Sequence, residues 1–395
     1  MHVVLFVLAL VLFVGLVLIH EWGHFIVARR NGVVAEEFGL GFPPRAVGKK
    51  LKSGMILSLN WLPLGGFVKL KGEHDSDIGQ GSFGAASLRA KTKILLAGVA
   101  MNLIAGLALL TILAFIGMPV LINKDANGVN QFTVARDTKI THQEVEVGNV
   151  LPGSPAASIG LAGTDTISSI SNGQRTVNIK LASELHDTTQ SFAGQTVNLT
   201  YDHNGKTLIK KVKLLSAAEV SASQATNNPK GYLGIEPNEL TVQRSTWSAP
   251  VVAAGLTGQL SWLTLKGLGH AIGGLGSLIA GSVTGNHTAR VNGQSQAESQ
   301  VGGPVAIMEI LWGSGSLGIN FVLAIIAIIS LTLALINVLP IPALDGGRLA
   351  MMWISRGIFK KPLSQAAEEQ IVGAGMAVVL VLIVLITIVD VKRSF

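Results

Sequence analysis

Four stretches of this 395-residue chain, residues 3–27, 94–117, 317–339 and 372–389, are almost continuously apolar. Each approaches or exceeds the roughly 20 residues that a helix needs to cross a bilayer core of about 30 Å. Lipid offers the backbone no hydrogen-bond partners, so each stretch is predicted to be a helix that satisfies its own amides. The rest of the composition agrees, since 49% hydrophobic and 13% charged residues with a mean hydropathy of +0.50 lie outside the range of an ordinary soluble enzyme. The first run lacks a basic leader and a small-residue cleavage site, and is expected to remain as a mature span.

The net charge of +7 follows membrane topology better than it follows nucleic acid, because no basic stripe with interleaved aromatics is present. Lys and Arg gather at residues 29–93, from Arg29 to Lys93, and again at Arg348, Arg356, Lys360 and Lys361. Those two loops are expected on the cytoplasmic side, which leaves both termini and residues 118–316 outside. The chain has no cysteine, so disulfides, thiolate ligands and a cysteine nucleophile are excluded, and any metal has to be held by His, Asp or Glu.

The first span ends in LIHEWGHFIVARRNG, residues 18–32. His20 and His24 stand at i and i+4, on one face of a helix, where two imidazoles can grip one ion. Glu21 lies about 100° around from His20, placed to take a proton from water at the metal without being a ligand. On a wet surface H-E-x-x-H can be chance, but ionisable groups at membrane depth are expensive and mark function, so the triplet is read as a zinc site.

Catalytic zinc takes three protein ligands and keeps a position open. The candidate third ligand is Asp345 in NVLPIPALDGGRL, residues 337–349, where Pro340 and Pro342 stop the third span. Taken alone, that stretch also reads as a helix end with Asp345 capping a turn. Depth favours the ligand: the first and third spans run the same way, and His20 and Asn337 each lie about 26–30 Å along them at roughly 1.5 Å per residue. The remaining histidines lack partners at metal-ligand spacing.

Between the first two spans, ILSLNWLPLGGFVKL, residues 56–70, reads as a β-hairpin or loop apolar enough to dip into the bilayer. Residues 131–236 read as an α+β domain, with Asn204-Gly205 supplying a type I′ hairpin turn and 216–230 a loose loop. Residues 248–315 are glycine-rich and are expected to form amphipathic or interfacial helices.

An intramembrane HEWGH with a distant NVLPIPALDGG resembles the site-2 protease family of intramembrane zinc metalloproteases, in its bacterial branch with an extracytoplasmic PDZ domain. The likeness extends to PLGGFVKL (63–70), GNVLPGSPAASIGLAGTDTISSISNG (148–173), GYLGI (231–235) and VGGPVAI (301–307). GLGF at 39–42 spells a PDZ carboxylate loop, but it lies beside the catalytic span and is not read as one. The resemblance implies Zn2+ on His20, His24 and Asp345, Glu21 as general base, and Asn337 near the substrate or its oxyanion. It also implies a membrane re-entrant β-loop that presents an extended substrate by strand addition, through Leu57, Leu59, Gly65, Gly66 and Val68.

The expected architecture is therefore a polytopic α-helical membrane protein with four transmembrane helices, a re-entrant β-loop and an extracytoplasmic α+β PDZ-like domain. Its parts are residues 1–30 (first span), 31–92 (cytoplasmic loop), 93–118 (second span), 126–237 (PDZ-like), 245–316 (interfacial helices), 317–347 (third span), 348–370 (cytoplasmic loop) and 371–390 (fourth span). The expected activity is cleavage of single-pass membrane proteins, anti-sigma factors or signal-peptide remnants among them, in the inner (plasma) membrane with the catalytic motifs near the cytoplasmic side. Partners are those substrates, membrane lipid and peptide termini at the PDZ-like domain, with no nucleic acid. The alternative is a non-catalytic scaffold with a structural zinc and a peptide-binding outer domain; Glu21 argues against it, because a structural site needs no base.

Overall fold

A computed structural model describes residues 2–122, 130–226, 229–284, 286, 304–315 and 317–394. His287, residues 126–129 at the start of the expected outer domain, and 301–303 of the VGGPVAI stretch lie outside these. The chain divides into two units, Met1–Leu113 with Pro250–Phe395, and Ala114–Ala249.

In the first unit, α1 (His2–Arg30) carries the HEWGH motif and ends at Gly32, whose φ of +77° reverses the chain. Two long strands follow, β1 (Ala35–Lys50) and β2 (Ile56–Leu70). The sequence reads 56–70 as a β-hairpin or loop. The structure instead pairs it with 35–50, and residues 37–40 are bonded on one side to 66–69 and on the other to 56–59. Gly41 explains the fold-back: its φ is +79°, and a Cβ there would collide with the Leu62 carbonyl. Asn60 is buried and donates through Nδ2 to the Gly41 carbonyl at 2.9 Å. The far end leaves Val47, Trp61 and Leu62 exposed, Trp61 by 71%.

Helix α2 (Leu88–Ile116) begins five residues before the expected boundary at 93. Ser87 caps it by accepting from the Ala90 amide, and Lys91, which reads as a loop charge, is buried in the first turns beside Asp75. Small residues let these helices approach: a Cβ at Gly23 would lie 2.6 Å from the Ala97 carbonyl oxygen of α2.

The second unit holds strands β3 (Met118–Pro119), β4 (Lys139–Val150), β5 (Thr166–Ser171), β6 (Thr176–Asn178), β7 (Thr196–His203), β8 (Lys206–Lys213) and β9 (Ile235–Arg244) in one sheet. The order is β3-β9-β4-β5-β7-β8, with β6 on β5. Helices α3 (Pro155–Ser158), α4 (Ala182–Ser191) and α5 (Ala217–Gln224) complete it. Val145, Ile167, Ile170, Leu199 and Tyr201 form its core. Asn204 and Gly205 join β7 to β8 with φ of +54° and +77°, the left-handed pair that a type I′ turn requires. The loop expected over 216–230 contains α5, started by a reciprocal Ser216 and Glu219 capping box.

Residues 245–316 are expected to form amphipathic or interfacial helices, and their described residues are largely helical. They contain α6 (Ala249–Thr284), which is continuous over 36 residues, and α7 (Pro304–Ser314). Then come α8 (Ile319–Val338), α9 (Asp345–Gly357) and α10 (Gln365–Ser394). A Cβ at Gly106 of α2 would lie 2.7 Å from Leu331 of α8, and Val322 and Ile326 of α8 pack with Ala9 and Leu16 of α1. Among the described residues four helical stretches are long and apolar enough to cross a membrane: His2–Arg30, Leu88–Ile116, Ile319–Val338 and Gln365–Ile388. The chain is thus a polytopic helical membrane protein.

Candidate metal centre

His20 and His24 are one turn apart on α1 and both are buried. Asp345 arrives from the other end of the sequence because Pro340 and Pro342 end α8, and the chain doubles back through close Leu339–Ile341 and Ile341–Leu344 turns. Gly346 and Gly347 make that reversal possible, since a Cβ on either would overlap the carbonyls of Val338 and Ile341. Asp345 is the first residue of α9, whose N-cap is Leu344, so its carboxylate is not used to cap the helix.

The two Nε2 atoms lie 3.1 Å apart, and each is 3.2 Å from Oδ2 of Asp345. That Oδ2 is buried and has no hydrogen-bond donor among the described residues. Three lone-pair atoms so close repel one another unless a cation sits between them. Two ligands at about 2.0–2.1 Å from a tetrahedral zinc are about 3.3 Å apart, which the observed triangle matches. The donor set therefore fits zinc. Nδ1 of His24 lies 2.8 Å from the Ile94 carbonyl, which fixes the tautomer that leaves Nε2 free to ligate.

Glu21 points from α1 to the strand β2, and its Oε2 accepts from the Val68 amide at 2.9 Å. A cavity of about 400 Å³ opens over His20, His24 and Asp345 and is lined by Glu21, Gly65, Gly66, Val68 and Asn337, among others. Leu57 and Leu59 are not among the residues around it, and both side chains are exposed along the sheet. The ladder accounts for the split: residues 66–70 form an edge beside α1, whereas 56–59 are paired on both sides.

Sequence reasoning missed α2's share of the site. Gly98 lies against both ligand rings, where a Cβ would touch Nε2 of His24 and come within 2.7 Å of Cε1 of His20, and Asn102 faces His20 one turn further on. The signal was an asparagine four residues after a glycine inside an apolar span, a polar group that lipid alone does not tolerate.

Fold and site together fit a class, the metal-dependent peptidases whose active centre is built from membrane helices. Comparison with known proteins gives it a family. The model of peptidase family M50 matches residues 8–382. The chain is 28% identical, over 98% of its length and 98% of the relative's, to a Clostridium perfringens protein that is a zinc metalloprotease by name. It is 29% identical to a Campylobacter jejuni protein of the same designation, over 96% of this chain and 90% of that one. It is 24% identical to the Eep protein of Enterococcus faecalis, a protease by name, over 98% of both. The chain belongs to peptidase family M50, the site-2 protease family, and is a zinc metalloendopeptidase of the membrane.

Proposed function

We propose that this protein cleaves single-pass membrane proteins, within or near the bilayer, in regulated intramembrane proteolysis or the clearance of signal-peptide remnants. The observation that carries the reading is a buried His20, His24 and Asp345 triangle whose outer wall is an unpaired strand edge, residues 66–70. His20, His24 and Asp345 hold the zinc, which when bound supplies Lewis-acid activation of water and of the scissile carbonyl. Glu21 takes a proton from the attacking water and delivers it to the leaving amine. Asn337, on the cavity wall, donates its amide to the oxygen that gains negative charge.

A helical substrate hides its carbonyls in its own hydrogen bonds, so it has to be unwound first. Gly65, Gly66 and Val68 offer an extended partner: a substrate segment adds as a further strand on that edge, with its peptide bond beside Glu21. Leu57 and Leu59 belong to the exposed apolar surface of the same sheet and anchor it in lipid as a re-entrant loop. In the second unit, a small cleft between α4 and residues 231–237, lined by Leu185, His186, Tyr232 and Ile235, supports a PDZ-like reading with peptide termini as ligands. Both termini and residues 118–316 lie outside the cell's inner membrane, with the metal near the cytoplasmic face.

Cleavage of a single-pass reporter by the purified protein, wild type beside Glu21→Gln with zinc measured in both, tests this reading. We expect equal zinc and at least a 10²-fold slower cut by the variant. Equal cutting by the two removes Glu21 as the base, and no cutting by zinc-loaded wild type across a panel of reporters favours a scaffold.

A further inference from the structure

Asn102 is 1% exposed on α2 and is turned toward the ligand pair. Its Nδ2 lies 3.4 Å from Nδ1 of His20, and its Oδ1 is buried without a hydrogen-bond partner among the described residues. Its own carbonyl accepts from the Ser330 hydroxyl of α8 at 2.7 Å, which fixes the backbone behind the amide. This rests on the reading of His20 as a zinc ligand through Nε2, and one proton then decides what Asn102 can do. An imidazole that gives the Nε2 lone pair to a metal carries its hydrogen on Nδ1, and that N–H needs an acceptor. His24 has one in the Ile94 carbonyl. For His20 the contact made by Nδ1 is with the Asn102 amide.

With Nδ2 facing Nδ1–H, two donors oppose each other. A half-turn about the last side-chain bond exchanges nitrogen and oxygen within the same outline and gives the orphaned Oδ1 to the imidazole. One amide atom is left without a protein partner in either orientation, so the polarity of the His20 contact decides. We propose that Asn102 is a positioning residue for the metal centre: its side-chain oxygen accepts the Nδ1 proton of His20 and holds that ring in the tautomer and plane that ligate. Gly98, one turn before it, leaves both rings room to take that position.

The test is zinc retention by the purified, zinc-loaded full chain in detergent, titrated with a competing chelator, for wild type, Asn102→Leu, Asn102→Asp and His20→Ala. Leucine keeps the volume and removes the acceptor, and zinc binding is expected to weaken about 10–100-fold. Aspartate only accepts, and is expected to bind zinc at least as tightly as wild type. A merely structural role gives the opposite order, because a buried carboxylate disrupts packing more than leucine does. Wild-type retention by Asn102→Leu, or an Asn102→Asp as weak as the leucine variant, overturns the proposal. If Asn102→Leu elutes misfolded, Asn102→Ala replaces it with the same expectation. Wild-type retention by His20→Ala is a different failure: it removes His20 as a ligand and leaves Asn102 with nothing to position.

Discussion

The triangle of His20, His24 and Asp345 is closed from behind by α2. Gly98 meets the edges of both imidazoles, and one methyl group there would push His24 away from Asp345 or α2 away from α1. Gly98→Ala is therefore expected to lower zinc affinity by about 10–100-fold while the protein still elutes as a folded species, and metal analysis after chelator competition checks it. Glycine to alanine inside a helix otherwise favours folding, so a loss of metal without a loss of helix would point to the site. The bond from the Val68 amide to Glu21 is of a different kind, because that N–H belongs to the free edge of the sheet, away from its partner Phe38. Val68→Pro removes the donor and leaves the ladder on the other side, so reporter cleavage is expected to fall at least tenfold with zinc content unchanged. At this scale His20, Glu21 and His24 were legible, since i and i+4 spacing in an apolar run needs no tertiary information. Asp345 needed an argument about depth, and Asn102 shows in the sequence only as a polar group inside an apolar span, since the ring it faces lies 82 positions away.

Among the elements, α9 carries Asp345 at its first residue and is anchored at its last turn by Arg356, which donates through Nε to both carboxylate oxygens of Asp75 at 2.9 and 3.1 Å. Lys91 of α2 closes on the same carboxylate, with no exposure of its own, and the Asp75 amide donates to Glu368 at the start of α10 at 2.9 Å. Arg348, one turn into α9, donates to the Glu73 carbonyl. One loop, residues 71–87, thus ties together the elements that set the position of Asp345. Burial alone would raise the Asp75 pKa, but the bonds from Arg356 and Lys91 outweigh it and hold the carboxyl below its usual range. A carboxylate with a depressed folded value stabilises the protein at every pH above the ordinary value of about 3.9 and loses that contribution as pH falls through the folded value. Wild type is thus expected to melt at progressively lower temperature only below about pH 4. Asp75→Asn is expected to lose about 3–5 kcal/mol at neutral pH, because it strands a buried Lys91, and to flatten the acid limb. Melting curves in detergent from pH 3 to 8 check both. The sequence could not show this lock: Lys91 reads as one of the loop's basic residues, and its partner Asp75 carries no motif. The four apolar helices were legible because length and hydropathy suffice, whereas the pairing of 56–70 with 35–50 was not, since Pro43, Pro44 and five charged residues hide the strand periodicity of β1.

For the whole molecule, the proposed placement of the metal near the cytoplasmic face depends on topology, and topology rests on the distribution of Lys and Arg. Eleven Lys and Arg residues lie at residues 29–93, eight of them within 31–92, and only Lys392 and Arg393 oppose them at the C-terminus. The counting is strong for residues 31–92, a short loop flanked by two spans, and weaker for 118–316, since long segments cross the membrane largely regardless of charge. The expected outcome follows from the two loops and can be read directly, because the chain has no cysteine to interfere. Single replacements at exposed Lys52, Lys206 and Lys361 each add one thiol away from the metal centre. In intact cells a membrane-impermeant maleimide is expected to label Lys206→Cys, in the second unit, and to leave Lys52→Cys and Lys361→Cys unlabelled until the membrane is opened. Labelling of the two loop positions with Lys206→Cys protected would invert the molecule and put the metal near the outer face. Labelling of Lys52→Cys but not Lys361→Cys would break the parallel course of the first and third spans. His20 and Asn337 could then no longer reach one depth by the count of residues, and the joining of His24 to Asp345 would need another explanation than two helices crossing in the same direction.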